Sequence, residues 1–148
     1  MIGRDAILTL VPHQGAMCLW DEVVGWDAAH VRLRSCSHAD PGNPLRSGGI
    51  LRALHLCEYG AQAMAVHGGL LSQGTGEPPK AGMLVALRGV ELHLARVDDL
   101  PGALEGEAEL IATGAGSQQY AFRIHHADRL LAEGRVAVML QLAAVERG

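Results

Sequence analysis

Two ionisable residues stand where acid–base chemistry would need them. His38 closes a short alternating segment directly before a turn-rich loop, and Glu58 lies in a stretch that is otherwise apolar. The unperturbed pKa of histidine, about 6.5, suits proton transfer near neutrality. A carboxylate among apolar residues must be paired, be protonated, or face a cavity or an interface. We therefore regard His38 and Glu58 as candidates for a general base and a general acid.

Both residues also have a purely structural interpretation. His38 could be an exposed loop histidine, and Glu58 could face solvent or pair with an arginine. On a helix, with 100° per residue, His55, Glu58 and Gln62 fall within about 60° of one another. This narrow polar stripe predicts either one wall of an active site or a polar seam that meets solvent or a dimer partner, and the sequence leaves both open.

A predicted helix over residues 50–71 would position these side chains. The segment contains no proline and is rich in Ala, Leu and Met, which favour helices, with Ser47 as a possible N-cap and Gly68–Gly69 as a possible end. It is apolar nearly all round, which predicts a buried helix. The amides of Gly48 and Gly49 at its start would be unpaired donors that could stabilise negative charge on a substrate oxygen. Glycines here could equally serve only a turn.

Strand patterns surround the helix. Residues 29–37 alternate, with Val31, Leu33 and Ser35 on one face, as expected for a half-buried strand. Residues 17–26 also predict a strand, and residues 2–10 a short helical turn. Four further strands are predicted after the helix, separated by turns and expected to be antiparallel neighbours: 83–97 with a kink at Gly89, 103–113, 118–126 and 130–142.

This element order predicts a single α+β domain over residues 1–148. One sheet buries a helix of this kind only by curling around it, or with help from a partner subunit. The small residues in the middle of the helix, Gly60, Ala61, Ala63 and Ala65, would allow a neighbouring backbone to approach closely.

Composition excludes several classes of function. The net charge is −4, Lys80 is the only lysine, and no basic run stands beside aromatic residues, so nucleic-acid binding is not expected. No window has 18 uncharged apolar residues and the N-terminus lacks a signal-peptide pattern, so we expect neither a membrane span nor secretion. The unpaired spacing of Cys18, Cys36 and Cys57 is typical of free thiols in a reducing cytosol, which predicts a cytoplasmic protein.

Familiar cofactor and nucleophile motifs are absent from the sequence. The histidines show no HxH or HExxH spacing, no GxSxG elbow is present, and no GK[ST] follows the glycine pairs. We therefore expect no metal, no other cofactor and no serine nucleophile.

Four segments together resemble bacterial hot-dog-fold 3-hydroxyacyl-ACP dehydratases. Residues 10–21, LVPHQGAMCLWD, are similar to the opening Leu-Pro-His box of that family. Residues 58–62, EYGAQ, are similar to its central-helix signature, a Glu followed four residues later by Gln. Residues 76–93 and 131–136 resemble a subgroup of predicted dehydratases, some of which belong to aryl-polyene-type pigment and lipid pathways. The resemblance covers nearly the whole chain.

The resemblance implies a hot-dog fold and a (3R)-hydroxyacyl-ACP dehydratase of fatty acid or polyene biosynthesis. His38 would be the catalytic histidine and would meet Glu58 across the interface of a homodimer, or of a higher homo-oligomer, that binds acyl-ACP or acyl-CoA. Supporting or tunnel-lining roles fall to His13, His55 and Gln62, and contacts with the acidic carrier protein fall to Arg46, Arg52 and Lys80.

Two other functions remain open at this stage. In a hot-dog thioesterase, Glu58 would activate water against the thioester carbonyl and His38 would be dispensable. A non-catalytic subunit would instead hold an acyl chain or pair with an active hot-dog partner.

Overall fold

A seven-stranded antiparallel sheet curves around one long helix in the computed structural model, which describes residues 1–76 and 82–140. The strand order is β1-β2-β3-β5-β6-β7-β4. This is the predicted α+β, hot-dog arrangement. The elements in chain order are β1 (Ile2–Gly3), α1 (Arg4–Leu8), β2 (Glu22–Trp26), β3 (His30–Ser35), α2 (Leu56–Thr75), β4 (Gly82–Leu92), β5 (Leu104–Gly114), β6 (Ser117–His126) and β7 (Arg129–Leu140).

The concave face of the sheet holds α2. The helix packs against β3, β5, β6 and β7, and its buried side chains include Leu56, Tyr59 and Val66. At Gly60 a Cβ atom would lie 2.4 Å from the ring of Phe122, so only glycine allows this approach. The element that comes close at Gly60 is therefore a side chain of β6, and not the backbone that the sequence predicts.

The helix begins and ends later than the sequence indicates. It is preceded by a 3₁₀ turn, Ala53–His55, and it continues through Gly68–Gly69 to Thr75. Gly76 ends it in the left-handed conformation, with φ +73°. Gly69 serves packing rather than termination, because a Cβ there would lie 2.7 Å from the carbonyl oxygen of Leu10.

The predicted cap at Ser47 is also wrong. Ser47 and Ile50 exchange two backbone hydrogen bonds, of 2.9 and 3.0 Å, and so close a tight turn. Gly48 and Gly49 form its tip with φ +58° and +77°, values that favour glycine. They lie in this turn, several residues before α2, and not at the helix start.

The N-terminal strands are shorter than predicted. The helical turn within residues 2–10 is confirmed as α1, and the alternation of Val31, Leu33 and Ser35 is confirmed as the buried face of β3. The strand predicted over 17–26 begins only at Glu22, because residues 17–19 bind the side chain of Gln62 instead of a neighbouring strand.

The C-terminal strands follow the prediction closely. The kink at Gly89 is confirmed: its φ is +58°, and the pairing with β7 shifts register between Arg88 and Glu91. The strand ends at Leu92, five residues earlier than predicted, and the chain then runs irregularly to β5. The last predicted strand is confirmed to Leu140, and its final two positions lie outside the described residues.

Two further expectations concern membrane spans and the cysteines. No helix within the described residues is both long and apolar enough to cross a membrane. The cysteines are free, as expected; Cys18 and Cys57 are buried and Cys36 is exposed.

Candidate active site

His38 lies on a 3₁₀ turn, Ser37–Ala39, directly after β3, and its side chain is fully buried. Its Nε2 is 2.9 Å from the carbonyl oxygen of Leu100. A carbonyl oxygen only accepts hydrogen bonds, so Nε2 carries the proton and Nδ1 keeps its lone pair. Nδ1 is buried and has no hydrogen-bond partner among the described residues.

The electrostatic surroundings keep the His38 ring neutral. Burial is the main cause that lowers the pKa of His38, and the positive charge of Arg46 and any charge on His126 lower it further. The hydrogen bond to Leu100 and the charge of Asp21 act in the opposite direction and are outweighed. A neutral imidazole with a free Nδ1 has the form that a general base requires.

A hydrogen-bond cluster joins the His38 loop to α2. The Tyr59 hydroxyl is 2.7 Å from Ser37 Oγ, and Asn43 Nδ2 donates both to that hydroxyl (3.1 Å) and to the Ser37 carbonyl (2.9 Å). Burial raises the pKa of Tyr59, so its hydroxyl remains protonated. Tyr59 and Ser37 are the chain neighbours of Glu58 and His38, and the cluster therefore fixes the backbone beside both candidates.

Glu58 itself points away from the interior. Its side chain is exposed on α2, whereas His38 has no exposed surface. The single chain therefore does not bring the two side chains into one cavity, and their meeting across a subunit interface stays a prediction.

The predicted polar stripe on the helix is divided between two environments. Gln62 is buried: its Oε1 accepts the N–H of Leu19 at 2.6 Å and its Nε2 donates to the Met17 carbonyl at 2.8 Å. Both ends of the amide are thus used to hold the segment before β2. His55 is half-buried on the turn before α2, and Glu58 is exposed.

The other predicted site residues lie around this centre. His13 is half-buried, and its Nδ1 has no hydrogen-bond partner within the described ranges. Gly48 and Gly49 are exposed at the tip of their turn, away from the helix start that the oxyanion hypothesis assumed. The tunnel role of His13 and the oxyanion role of the glycines stay predictions.

The three cations predicted to meet a carrier protein differ in their surroundings. Arg46 is half-buried and donates to the His38 carbonyl at 3.0 Å and to the Gly49 carbonyl at 3.1 Å. It therefore holds its own loop together. Arg52 is exposed, and Lys80 lies outside the described residues. A carrier-protein contact stays a prediction for all three.

Sequence reasoning missed the groups that hold His38. Asn43 could have been noticed as a buried-type amide within a turn-rich loop, since such side chains commonly bond to nearby backbone. The Leu100 carbonyl has no side-chain signature, and it lies 62 residues away in the chain.

Two features on the outer face of the sheet are unconnected with this centre. Glu91, His93 and Glu133 have possible ligand atoms within 4.8 Å of one another, but Glu133 also faces Arg123 at 4.0 Å. The expectation of no metal stays untested. A cleft of about 330 Å³ is lined by residues such as Arg32 and Glu107, and neither His38 nor Glu58 lines it.

The chain matches the model of a known protein family. A family model described as "ApeP-like: ApeP dehydratase" matches residues 5–145. A search of the curated proteins finds no significant match.

Solved structures of similar fold include a dehydratase and thioesterases. The dehydratase heterocomplex ApeI:P from Xenorhabdus doucetiae is 20% identical, with a TM-score of 0.80 over 91% of this chain and 90% of that chain. A hypothetical thioesterase with coenzyme A from Streptococcus pneumoniae is 15% identical, with a TM-score of 0.59 over 81% and 84%. The PaaI protein of the E. coli phenylacetic acid degradation operon is 15% identical, with a TM-score of 0.58 over 80% and 81%. At these identities the likeness shows the fold alone.

Proposed function

The chain belongs to the ApeP-like dehydratase family, and from that premise we propose that it removes water from a (3R)-hydroxyacyl-ACP to give the trans-2-enoyl thioester. The observation that carries the proposal is the state of His38. The ring is neutral, its Nε2 is engaged with Leu100, and its Nδ1 is an unused acceptor. A group in this state is a general base held in one tautomer.

In the proposed reaction, His38 Nδ1 takes the proton from C2 of the acyl chain. The C2–H electron pair forms the C2–C3 double bond, and the C3–O bond breaks. Glu58 in its acid form protonates the departing hydroxyl, which leaves as water. Because His38 has no exposed surface, the acyl chain reaches Nδ1 only when the loop that follows β3 moves aside.

A second hot-dog subunit completes the site in this proposal. Glu58 is exposed on the first turn of α2, and Leu54, on the 3₁₀ turn directly before it, is 61% exposed. Leu87 and Leu92 on β4 pair with the buried Val136 and Ala132 of β7, so they belong to the helix side of the sheet. Both are nevertheless exposed, because β4 forms one end of the sheet. Such an apolar face around a carboxylate is typical of an interface. The similar ApeI:P structure is a heterocomplex, so the partner is either a copy of this chain or a homologous chain.

Acyl carrier protein is the proposed carrier, in fatty acid or polyene biosynthesis in the cytoplasm. Arg52, exposed on the segment before α2, is the cation best placed to meet its acidic surface, and Arg46 contributes only if the loop opens.

The test is hydration of an enoyl thioester, followed by loss of the enoyl absorbance, with thiol release measured in the same cuvette. We expect wild type to hydrate the substrate and His38→Gln and Glu58→Gln each to lose about 10²–10⁴-fold in rate. Glu105→Gln on the outer face, which also removes one exposed carboxylate, should behave like wild type. Full activity of His38→Gln would refute the assignment of the base.

Two other outcomes identify the alternative functions. Thiol release without hydration, sensitive to Glu58→Gln but not to His38→Gln, would indicate a thioesterase. A non-catalytic subunit is favoured by one observation, the separation of His38 and Glu58 within the chain. It would give no hydration alone, and hydration by the complex would be unchanged by His38→Gln.

A further inference from the structure

The irregular segment between β4 and β5 is attached to the residues that precede α2. The N–H of Ala53 donates to the Ala95 carbonyl at 3.0 Å, and the N–H of Val97 donates to the Leu51 carbonyl at 2.9 Å. The N–H of Leu51 donates to Oδ1 of Asp98 at 2.9 Å. Only the last of these three bonds involves a side chain, so it is the one that an amino-acid substitution can remove.

The Asp98 carboxylate is almost fully buried, with its side chain 6% exposed. Arg96 donates to Oδ1 through Nε at 3.1 Å and to Oδ2 through Nη2. These hydrogen bonds are the main cause that holds the pKa of Asp98 well below its ordinary range, and the Leu51 N–H acts in the same direction. Asp98 is therefore ionised at neutral pH, and both of its oxygens have donors.

Leu100, two residues after Asp98 in the chain, is the residue that contacts His38. The N–H of Leu100 donates to the Val97 carbonyl at 3.1 Å, which closes a tight turn around Asp98. The carbonyl of Leu100 accepts the Nε2–H of His38 at 2.9 Å. The position of this carbonyl decides which nitrogen of the ring carries the proton, because a backbone carbonyl accepts and never donates.

We propose that Asp98 is a positioning residue for His38: it holds the turn whose Leu100 carbonyl keeps the proton on Nε2 and leaves Nδ1 free as the base. The same carboxylate accepts the N–H of Leu51, so it also connects the turn that contacts His38 with the segment before α2. The inference rests on the proposed function, because His38 is the base only in that reaction.

A merely structural Asp98 would affect folding alone. A positioning role predicts something else: loss of the carboxylate must change the tautomer of His38 in molecules that are still folded. It must also lower kcat more than it raises KM, because the buried Asp98 carboxylate is already engaged by Arg96 and Leu51 and is not offered to a substrate. The tautomer of His38 and the kinetic constants are measured independently of each other.

The experiment records the ring nitrogens of His38 by long-range ¹⁵N–¹H NMR, together with kcat and KM, in wild type, Asp98→Ala and Asp98→Asn. Asp99→Asn is the matched control, because it removes the same charge beside the same Arg96 but leaves the Leu51 bond intact. We expect one tautomer, with the proton on Nε2, in wild type and in Asp99→Asn. Asp98→Ala should show a mixture of tautomers and a kcat lower by about 10²-fold, while Asp98→Asn, which keeps an acceptor oxygen, should lie between.

A single Nε2–H tautomer in the folded Asp98 variants would overturn the inference. Its failure is distinguishable from failure of the proposed function. If His38→Gln stays active, the base assignment falls while the tautomer shift still stands; if His38→Gln is inactive and the tautomer does not move, only the role of Asp98 falls. If Asp98→Ala does not fold, the nearly isosteric Asp98→Asn and the neighbouring Arg96→Gln are held to the same spectral criterion.

Discussion

Two histidines are equally buried in this chain, and they differ in what their ring nitrogens contact. His67, in the second half of α2, has both nitrogens paired: Nδ1 lies 2.7 Å from the Tyr120 hydroxyl and Nε2 lies 2.9 Å from the Asp27 carbonyl. The ring of His38, among the residues that the structure describes, has its bond to Leu100 and no second partner. Burial lowers the pKa of both rings, so both are neutral near pH 7.

The difference separates a structural histidine, His67, from the histidine for which we propose a catalytic role, His38. His67 joins the helix to β6 and to the turn after β2, and nothing on its ring is left for a substrate. A buried nitrogen such as His38 Nδ1, which has no partner within residues 1–76 and 82–140, costs stability, so its presence needs another explanation. In this chain the explanation that we propose is proton transfer. Each prediction below tests the contrast, beginning with the largest expected effect.

Replacing His38 by leucine should remove activity and leave stability nearly unchanged. The enzyme loses its base, so the hydration rate should fall by about 10²–10⁴-fold. The free energy of unfolding should change by only about 1 kcal/mol, because the unpaired Nδ1 disappears together with the Leu100 bond. Hydration rates and urea titrations measure the two effects, and a loss of several kcal/mol would instead make His38 a structural residue.

Replacing His67 by leucine should have the reverse effect. The Tyr120 hydroxyl and the Asp27 carbonyl would both be left buried without their partner, so the free energy of unfolding should fall by about 2–4 kcal/mol. Activity per folded molecule should stay close to wild type at a temperature well below the midpoint of unfolding. A rate loss comparable to that of His38→Leu would show that the two histidines do not divide their roles in this way.

The two buried tyrosines allow a finer version of the same test. Burial raises the pKa of Tyr120 to about 12, so its hydroxyl stays protonated and donates to His67. Tyr120→Phe should lower the free energy of unfolding by about 1 kcal/mol and spare activity. Tyr59→Phe breaks the cluster beside His38 and should also lower kcat, so unequal kcat values in two comparably stable variants are the expected measurement.

Acid should weaken the fold through both histidines. Their pKa values in the folded protein lie below the ordinary 6.5, so the unfolded chain binds more protons in that range. Their contribution is complete above pH 6.5 and is lost as the pH falls through that value toward the lower pKa of the folded state. Urea titrations between about pH 7.5 and pH 5 should show this loss, and His67→Leu should show less of it.

Local patterns predicted most of the strands, whereas long-range packing decided the remainder. The alternation of Val31, Leu33 and Ser35 identified β3, and the turn at Ala127–Asp128 separates β6 from β7 as expected. Gly68–Gly69 could not be recognised as helix interior, because what Gly69 accommodates is Leu10, far away in the chain.

The candidate site was likewise predictable only in part. His38 and Glu58 were identified by residue type and position, and His38 does lie in a protected centre. The exposure of Glu58 was one of the alternatives that the sequence left open, because an apolar helix with one polar stripe fits either a solvent-facing side or a covered one. The sheet of one chain covers only part of it. The Leu100 carbonyl and its support from Asp98 depend on tertiary structure alone.

The pairing of β3 with β5 has a consequence for the time course of folding. This ladder, from His30↔Glu109 to Ser35↔Leu104, joins strands that are separated in the chain by α2 and β4. The neighbouring hairpins, β2–β3 and β5–β6, close short loops. The β3–β5 pairing closes a much longer loop that contains α2 and β4, and it therefore costs more conformational entropy. Topologies with such distant pairings fold on the order of milliseconds to seconds. The β3–β5 pairing should therefore form last. The hydrogen bond from His38 to the Leu100 carbonyl should form at the same time, because Leu100 lies just before β5.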